Sequence, residues 1–166
     1  VKVIEATDLK QMDSVGKNDA YCSVTVGGKT LRTSTIDGKS YGKGRKDPRW
    51  NEGAGEELRF EVAEVPSQIN VAAFDEDVGS DDDLIGAGTV EIGEADRAKL
   101  TVAQVSGGAG FAMDVWCEIA GKGGKGTGRV HVVIGWAAGV ASEQHSDEDV
   151  AEAAARAVSA GPRSAG

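Results

Sequence analysis

The chain has 166 residues, a length that suits one domain with a hydrophobic core plus an additional segment, and 24 of the residues are glycine. The net charge of −9 argues against nucleic acid as a partner, although charges of opposite sign are concentrated in separate regions. No apolar stretch reaches the roughly 18–20 residues of a transmembrane helix, and no basic-then-apolar signal segment opens the sequence.

Eight short strand-like segments follow one another along the chain. In the second of them Cys22, Val24 and Val26 share one face, which is the period-2 pattern of a strand with one buried side. The pair Gly27-Gly28 predicts a tight hairpin turn directly after it. The pattern predicts an all-β fold, an eight-stranded antiparallel β-sandwich. The predicted strands span residues 1–6, 20–26, 30–36, 57–62, 69–74, 84–92, 112–119 and 129–136.

Three segments outside these strands have a different composition. Residues 93–110 form a longer connection with a predicted short helix at 94–100. Residues 121–128 form a flexible glycine-rich connection that lacks the Lys-Ser/Thr pair of a phosphate-binding loop. From about residue 137 the chain is acidic and rich in alanine, with signals for a marginal helix. We therefore predict the sandwich over residues 1–136. Residues 137–166 are predicted to be a partly helical or disordered tail, either a surface appendage or a docking segment for a protein partner.

The two cysteines, Cys22 and Cys117, both lie in predicted strands. Two cysteines make no dense disulfide framework, which favours a reducing compartment and a cytoplasmic location. We interpret both as small apolar core residues.

Acidic residues are concentrated in two separate loops. The first reads MDSVGKNDAY over residues 12–21, with Asp13 and Asp19 near its edges, and the second reads FDEDVGSDDDLIG over residues 74–86. Calcium prefers six to eight oxygen ligands, and crowded carboxylates are tolerated where a cation binds. Asp75 and Asp77 lie two residues apart at a strand end, and Asp83 begins the next strand. A solvated acidic loop is the alternative, but it does not explain the acids at both edges of the first loop.

Other metal sites and catalytic sites do not fit the sequence. An EF-hand needs all its ligands in one loop of about 12 residues between helices, whereas these acids lie in two loops between strands. Zinc is disfavoured because the two histidines, His131 and His145, are far apart and there are no cysteine pairs. No nucleophile–base set is present, so we do not expect an enzyme.

The ordered motifs resemble those of the C2 domain family over residues 1–136. The first strand runs directly into the first acidic loop, which resembles the permuted, type II topology of phospholipases and small plant members. The resemblance implies a Greek-key sandwich. The matching stretches are Ala6-Thr7-Asp8-Leu9 with Met12-Asp13, Asn18-Asp19-Ala20-Tyr21, Arg32-Thr33, Pro48-Arg49-Trp50-Asn51-Glu52, and Phe74-Asp75-Glu76-Asp77 followed by Asp83-Leu84-Ile85-Gly86.

The resemblance also implies a site for about two or three calcium ions. Five carboxylate positions of the family match acids of this sequence, and two backbone carbonyls and one hydroxyl are implied as further ligands. The implied ligands are the carboxylates of Asp13, Asp19, Asp75, Asp77 and Asp83, the carbonyls of Met12 and Glu76, and the Ser80 hydroxyl.

By the same resemblance the chain is expected to be a targeting or signalling module that binds anionic phospholipid when calcium is present. The acids would repel such a surface without calcium, and bound cations would reverse the local charge. The loop tips offer only Val15 and Val78 as apolar residues, so we expect contact at the level of the headgroups.

A basic insertion over residues 37–49 (DGKSYGKGRKDPR) is a candidate clamp for lipid headgroups. A solvated flexible loop and a contact with a protein partner remain as alternatives. At the level of the whole chain, the alternative function is a structural or adaptor subunit that uses the sandwich and the tail for protein contacts. The predicted lipid-binding residues are Lys39, Lys43, Arg45 and Lys46, with Lys29 and Arg32 extending the patch.

Overall fold

The computed structural model of the chain describes residues 1–12, 16–41, 47–105 and 112–136. It contains the eight antiparallel strands that the sequence predicts, together with one α-helix. The strands are β1 (Lys2–Thr7), β2 (Ala20–Val26), β3 (Lys29–Arg32), β4 (Glu56–Glu57), β5 (Gln68–Asp75), β6 (Asp83–Glu91), β7 (Ala112–Ala120) and β8 (Gly126–Gly135), and the helix is α1 (Glu94–Val105).

The strands form one curled sheet in the order β3-β2-β5-β6-β7-β8-β1-β4. The junction between β6 and β7 is narrow, with a single pair in register, Ala87 with Ala120. The sheet turns there, and its two four-stranded halves pack their inner faces against each other. The expected antiparallel sandwich with Greek-key connections is confirmed.

The core is built from alternate residues of these strands. Val24 and Val71 come from one half of the sheet, Val130 and Val132 from the other, and all four are fully buried. Each such side chain contributes on the order of 1.5–3 kcal/mol through burial. Trp50 is also fully buried, and its indole N–H donates to the Ser34 carbonyl at 2.9 Å.

Cys22 and Cys117 are both free thiols inside this core. The interpretation of both as small apolar core residues is confirmed.

Strands β3 and β4 are shorter than the alternation of their side chains predicts. β3 ends at Arg32, and Ile36 returns only as an isolated bridge to Ala20. β4 pairs with β1 through two residues, although Leu58 is buried and Phe60 packs against the core. Apolar side chains at every second position report which side faces the core, and this burial does not require a hydrogen-bonded ladder.

The helix α1 begins at Glu94 as predicted and extends to Val105 rather than ending at residue 100. Glu94 and Asp96 lie in its first turn, where carboxylates interact favourably with the helix dipole. Leu100 is fully buried and attaches the helix to the core. No helix in the described ranges is long and apolar enough to cross a membrane. The tail predicted over residues 137–166 lies outside the described residues.

Four connections meet at the end of the sandwich where β1, β3, β5 and β7 finish. We call this the loop end, and α1 lies at the opposite end because it follows β6. The connections are loop 1 (residues 8–19), loop 2 (residues 33–49), loop 3 (residues 76–82) and loop 4 (residues 121–125).

Candidate functional site

The side chain of Asn18, which is 4% exposed, holds the described residues of loop 1 together. Its amide oxygen accepts a hydrogen bond from the Met12 N–H at 3.0 Å, and its amide nitrogen donates to the Lys10 carbonyl at 2.9 Å. The Tyr41 hydroxyl of loop 2 donates to the Asn18 carbonyl. These contacts fix the backbone just before Asp19, the second acid that the sequence assigns to calcium.

Three of the predicted carboxylate ligands lie at the ends of adjacent strands. Ala20 of β2 is in register with Asp75 of β5, which is in register with Asp83 of β6. Asp19, Asp75 and Asp83 therefore lie at about the same level of the sheet. Asp75 is 2% exposed, and the Asp19 N–H donates to its carboxylate at 2.6 Å. A buried carboxylate requires such donors or a nearby cation, because desolvation penalises its charge.

Loop 2 approaches loop 1 at Gly38. The Gly38 N–H donates to the Asp19 carboxylate at 2.8 Å. A Cβ atom at this position would lie 2.6 Å from the Lys17 carbonyl oxygen, so the contact requires glycine. Nearby, the Leu9 N–H donates to the Asp47 carboxylate at 3.0 Å, which joins the second half of loop 2 to the start of loop 1.

Loop 3 is organised by Asp82, a residue to which the sequence assigned no role. Its carboxylate accepts from the Asp77 N–H at 3.2 Å and from the Tyr21 hydroxyl at 2.8 Å. The hydrogen bond from Tyr21 lowers the pKa of the Asp82 carboxyl. Burial and the same hydrogen bond raise the pKa of Tyr21 to about 12. No sequence pattern separates Asp82 from its acidic neighbours, because its partner Tyr21 is 61 residues away.

Arg32 lies beside loop 3 on the outer face of the sheet. Its Nη2 atom is 2.6 Å from Glu76 Oε1, and its guanidinium lies 4.0 Å from the ring centroid of Tyr21. Tyr21 stacks on Phe74 with centroids 5.1 Å apart. Together they border a surface groove of about 350 Å³, whose lining residues are Tyr21, Ser23, Thr30, Leu31, Arg32 and Phe74.

The donor chemistry at the loop end fits a hard cation, because the side-chain ligands on offer are carboxylates. In residues 1–12, 16–41, 47–105 and 112–136, however, no group of three or more acidic, histidine or cysteine side chains is placed to hold a metal ion. Asp13, the fifth predicted carboxylate, lies outside the described residues. Of the other predicted ligands, Ser80 is exposed in loop 3, and Met12 and Glu76 are half-buried.

The predicted lipid-binding cations separate into three groups. Arg32 and the exposed Lys39 lie at the loop end. Lys29 lies at the other end of β3, where the β2–β3 hairpin turns, so the structure does not bring it to the acidic loops. The remaining predicted cations, Lys43, Arg45 and Lys46, fall outside the described residues.

Two large apolar side chains are exposed among the described residues, and both belong to the loop end. Val78, at the tip of loop 3, is completely exposed, and Leu84, which follows that loop in β6, is 39% exposed. The sequence identified Val78 but not Leu84, because the alternation around residue 84 resembles that of any half-buried strand. Val15, the other predicted tip residue, lies outside the described part of the chain.

Comparison with protein families finds that the model of the C2 domain matches residues 1–105. Synaptotagmin-4 of Arabidopsis thaliana is 34% identical over 104 residues, which is 60% of this chain and 16% of that protein. The 16 kDa phloem protein 1 of the same plant is 30% identical over 94 residues, 57% of this chain and 58% of that protein. Multiple C2 and transmembrane domain-containing protein 2 of Mus musculus is 31% identical over 86 residues, which is 52% of this chain and 9% of that protein.

Solved structures share the fold. A C2 domain of plant Extended Synaptotagmin 1 superposes with a TM-score of 0.52 and 14% identity, covering 80% of this chain and 87% of that one. The calcium-bound pair of C2 domains of Extended-Synaptotagmin 2 gives a TM-score of 0.53 and 23% identity, covering 81% of this chain and 44% of that one.

Proposed function

The chain belongs to the C2 domain family, and on that premise we propose that its loop end binds anionic phospholipid membranes when calcium is present. Members of the family bind phospholipid membranes and are typically non-catalytic modules. The proposal concerns residues 1–136 and makes the chain a peripheral membrane protein that calcium recruits.

One observation carries the proposal: the exposed apolar side chains lie beside the acidic loops. Val78 and Leu84 flank the same loop whose acids the calcium proposal uses. Exposed apolar side chains can enter the headgroup layer of a membrane, and the neighbouring acidic loop would make this contact depend on calcium. The apolar area is small, which supports reversible contact at headgroup depth.

The calcium part of the proposal is supported by the strand register, which brings the strand ends beside three of the predicted ligands to about the same level of the sheet. Asp19, Asp75 and Asp83 end or begin adjacent strands, and Asp77 follows Asp75 by two residues. The proposed ligands for about two or three ions are the carboxylates of Asp13, Asp19, Asp75, Asp77 and Asp83, the backbone carbonyls of Met12 and Glu76, and the Ser80 hydroxyl.

The charge of the acidic loops would make contact with the membrane depend on calcium. Without calcium, the net negative charge of loops 1 and 3 repels an anionic surface. Bound calcium would supply positive charge and open coordination positions for lipid phosphate or carboxylate groups. Arg32 and Lys39, with Lys43, Arg45 and Lys46, then contact headgroups around the site, each contributing on the order of 1 kcal/mol.

Co-sedimentation with phosphatidylserine vesicles tests the proposal. The protein should sediment with these vesicles in calcium and bind them only weakly in a chelator. Vesicles of pure phosphatidylcholine are the control, since they offer no net negative charge. Protein that stays in solution with phosphatidylserine at saturating calcium contradicts the proposed function.

A further inference from the structure

Loop 4 lies between the two acidic loops of the proposed membrane-binding end. It joins β7 to β8, and the strand order places these strands between β6, which follows loop 3, and β1, which precedes loop 1. The Lys10 N–H of loop 1 donates to the Thr127 carbonyl at 2.9 Å. On the other side, a Cβ atom at Gly121 would lie 3.2 Å from the Ile85 carbonyl oxygen of β6.

The backbone of loop 4 is a tight turn in which two glycines lie between two lysines, Lys122 and Lys125. The Gly121 N–H donates to the Lys125 carbonyl at 3.0 Å, and the Gly124 N–H donates to the Gly121 carbonyl at 3.1 Å. Gly123 and Gly124 have φ angles of +84° and +73°, a conformation that favours glycine. The turn therefore fixes where Lys122 and Lys125 leave the backbone.

The two lysines are exposed, and neither forms an ion pair with another described residue. Residues 119–130 contain no acid, so no carboxylate of the loop itself compensates them. The turn therefore presents two exposed cations at the end of the sandwich that also carries the acidic loops 1 and 3.

We propose that Lys122 and Lys125 form a separate cationic contact with the anionic lipid surface, one that does not depend on calcium. This inference rests on the proposed function, because it needs the loop end to face the membrane. Two lysines near an anionic leaflet raise the membrane partition coefficient by roughly tenfold to thirtyfold. These charges do not depend on bound calcium, so in a chelator they offset part of the repulsion from loops 1 and 3. In calcium they add to the attraction.

The test uses the full chain and vesicles of equal parts phosphatidylserine and phosphatidylcholine. The variant K122Q/K125Q removes two exposed charges from loop 4. The matched control K2Q/R59Q removes two exposed charges from the opposite end, where β1 begins and β4 has ended. Thermal unfolding should have the same midpoint for all three proteins, because none of these side chains is buried.

In saturating calcium we expect the partition coefficient of K122Q/K125Q to fall roughly tenfold to thirtyfold, whereas K2Q/R59Q stays within about twofold of the parent chain. The decrease should also weaken the dependence of binding on salt, since fewer charges are screened. If the parent chain binds and K122Q/K125Q binds as well as the parent chain does, loop 4 makes no contact with the membrane. Only this inference is then overturned. If the parent chain does not bind in calcium, the proposed function and this inference both fail.

Discussion

The backbone N–H of Asp19 donates a hydrogen bond of 2.6 Å to the carboxylate of Asp75. Asp19 ends loop 1, and Asp75 ends β5 just before loop 3, so this bond joins the two acidic loops directly. The Glu76 N–H returns a hydrogen bond to the Asp19 carbonyl at 2.9 Å. A change in charge at Asp75 therefore acts on both loops at once, whereas the exposed acids of loop 3 act locally.

The substitution Asp75→Asn should abolish calcium uptake while the protein stays folded. Asparagine keeps an oxygen that can accept from the Asp19 N–H but removes the charge that a cation needs. Isothermal titration with calcium should show no binding heat. In contrast, Asp75→Ala leaves that buried donor unsatisfied and should lower the free energy of unfolding by about 1–3 kcal/mol.

Asp81→Asn is the matched control for Asp75→Asn, since Asp81 is an exposed acid of loop 3 and the charge change is the same. It should keep most of the calcium affinity. An unchanged affinity in Asp75→Asn would place the calcium site elsewhere.

The substitution Glu76→Gln should increase binding to phosphatidylserine vesicles in a chelator by roughly fivefold. It removes the charged partner of Arg32, whose guanidinium is then available to a lipid phosphate. Folding stability should change by less than about 1 kcal/mol because the pair is exposed. Glu91→Gln, at the opposite end of β6, is the control and should change nothing.

A second comparison separates release of Arg32 from the loss of one negative charge. In an Arg32→Gln background, Glu76→Gln should have little further effect on vesicle binding. If the full increase persists there, the Arg32–Glu76 pair does not restrain binding.

The substitution Gly88→Ala should destabilise the fold at the narrow junction between the two halves of the sheet. A Cβ atom at Gly88 would lie 2.1 Å from the Glu118 carbonyl oxygen and 2.9 Å from Cys117 Sγ, so β6 and β7 would have to separate. Urea denaturation should show a loss of about 1–3 kcal/mol. Gly135→Ala in β8 is the control, because a Cβ atom there meets nothing within 4 Å. Equal stability of the two variants would show that the junction yields without cost.

Stability should fall as the pH rises from about 9 to about 11. Burial raises the pKa of the Cys117 thiol to about 11 and raises the pKa of Cys22 further. Unfolded thiols ionise near 9, so in this range the unfolded state holds fewer protons than the folded state. The stabilisation is complete below pH 9 and is lost as the pH rises, by at most about 1.4 kcal/mol per pH unit for each thiol.

Chemical denaturation at a series of pH values measures this slope. The variant Cys22→Ala/Cys117→Ala should have a flatter slope between pH 9 and pH 10, before tyrosine ionisation contributes. An equally steep slope in that variant would assign the alkaline transition to other groups.

The alternation of apolar and polar residues predicted the strand bounds well where the whole alternating segment is hydrogen-bonded to a neighbouring strand. β2 has the predicted bounds, and its neighbour β5 extends the prediction by one residue at each end. The same pattern overestimated β3 and β4, because Ile36 and Leu58 contribute to the sandwich without extending a strand. Burial sets the pattern of side chains, whereas strand length depends on a partner that local sequence does not reveal.

The candidate site also combines features that local sequence predicts with features that depend on residues far apart in the chain. The positions of Asp75, Asp77 and Asp83 at or near strand ends were predictable, because the alternation of the two strands lies next to them in the sequence. The role of Asp82 depends on a hydroxyl 61 residues away, the exposed Leu84 depends on which face of β6 is covered, and the position of loop 4 depends on the strand order.

By itself, then, the sequence determined the class of fold, the family resemblance and the residue types available to a cation, since these follow from periodicity and from motifs along the chain. Only the tertiary structure decided that Asp19 supports Asp75, that Arg32 pairs with Glu76, and that Lys122 and Lys125 lie between the acidic loops. Each of these relationships joins residues from different strands or loops. Their distances are set by register and strand order, which depend on packing across the whole domain.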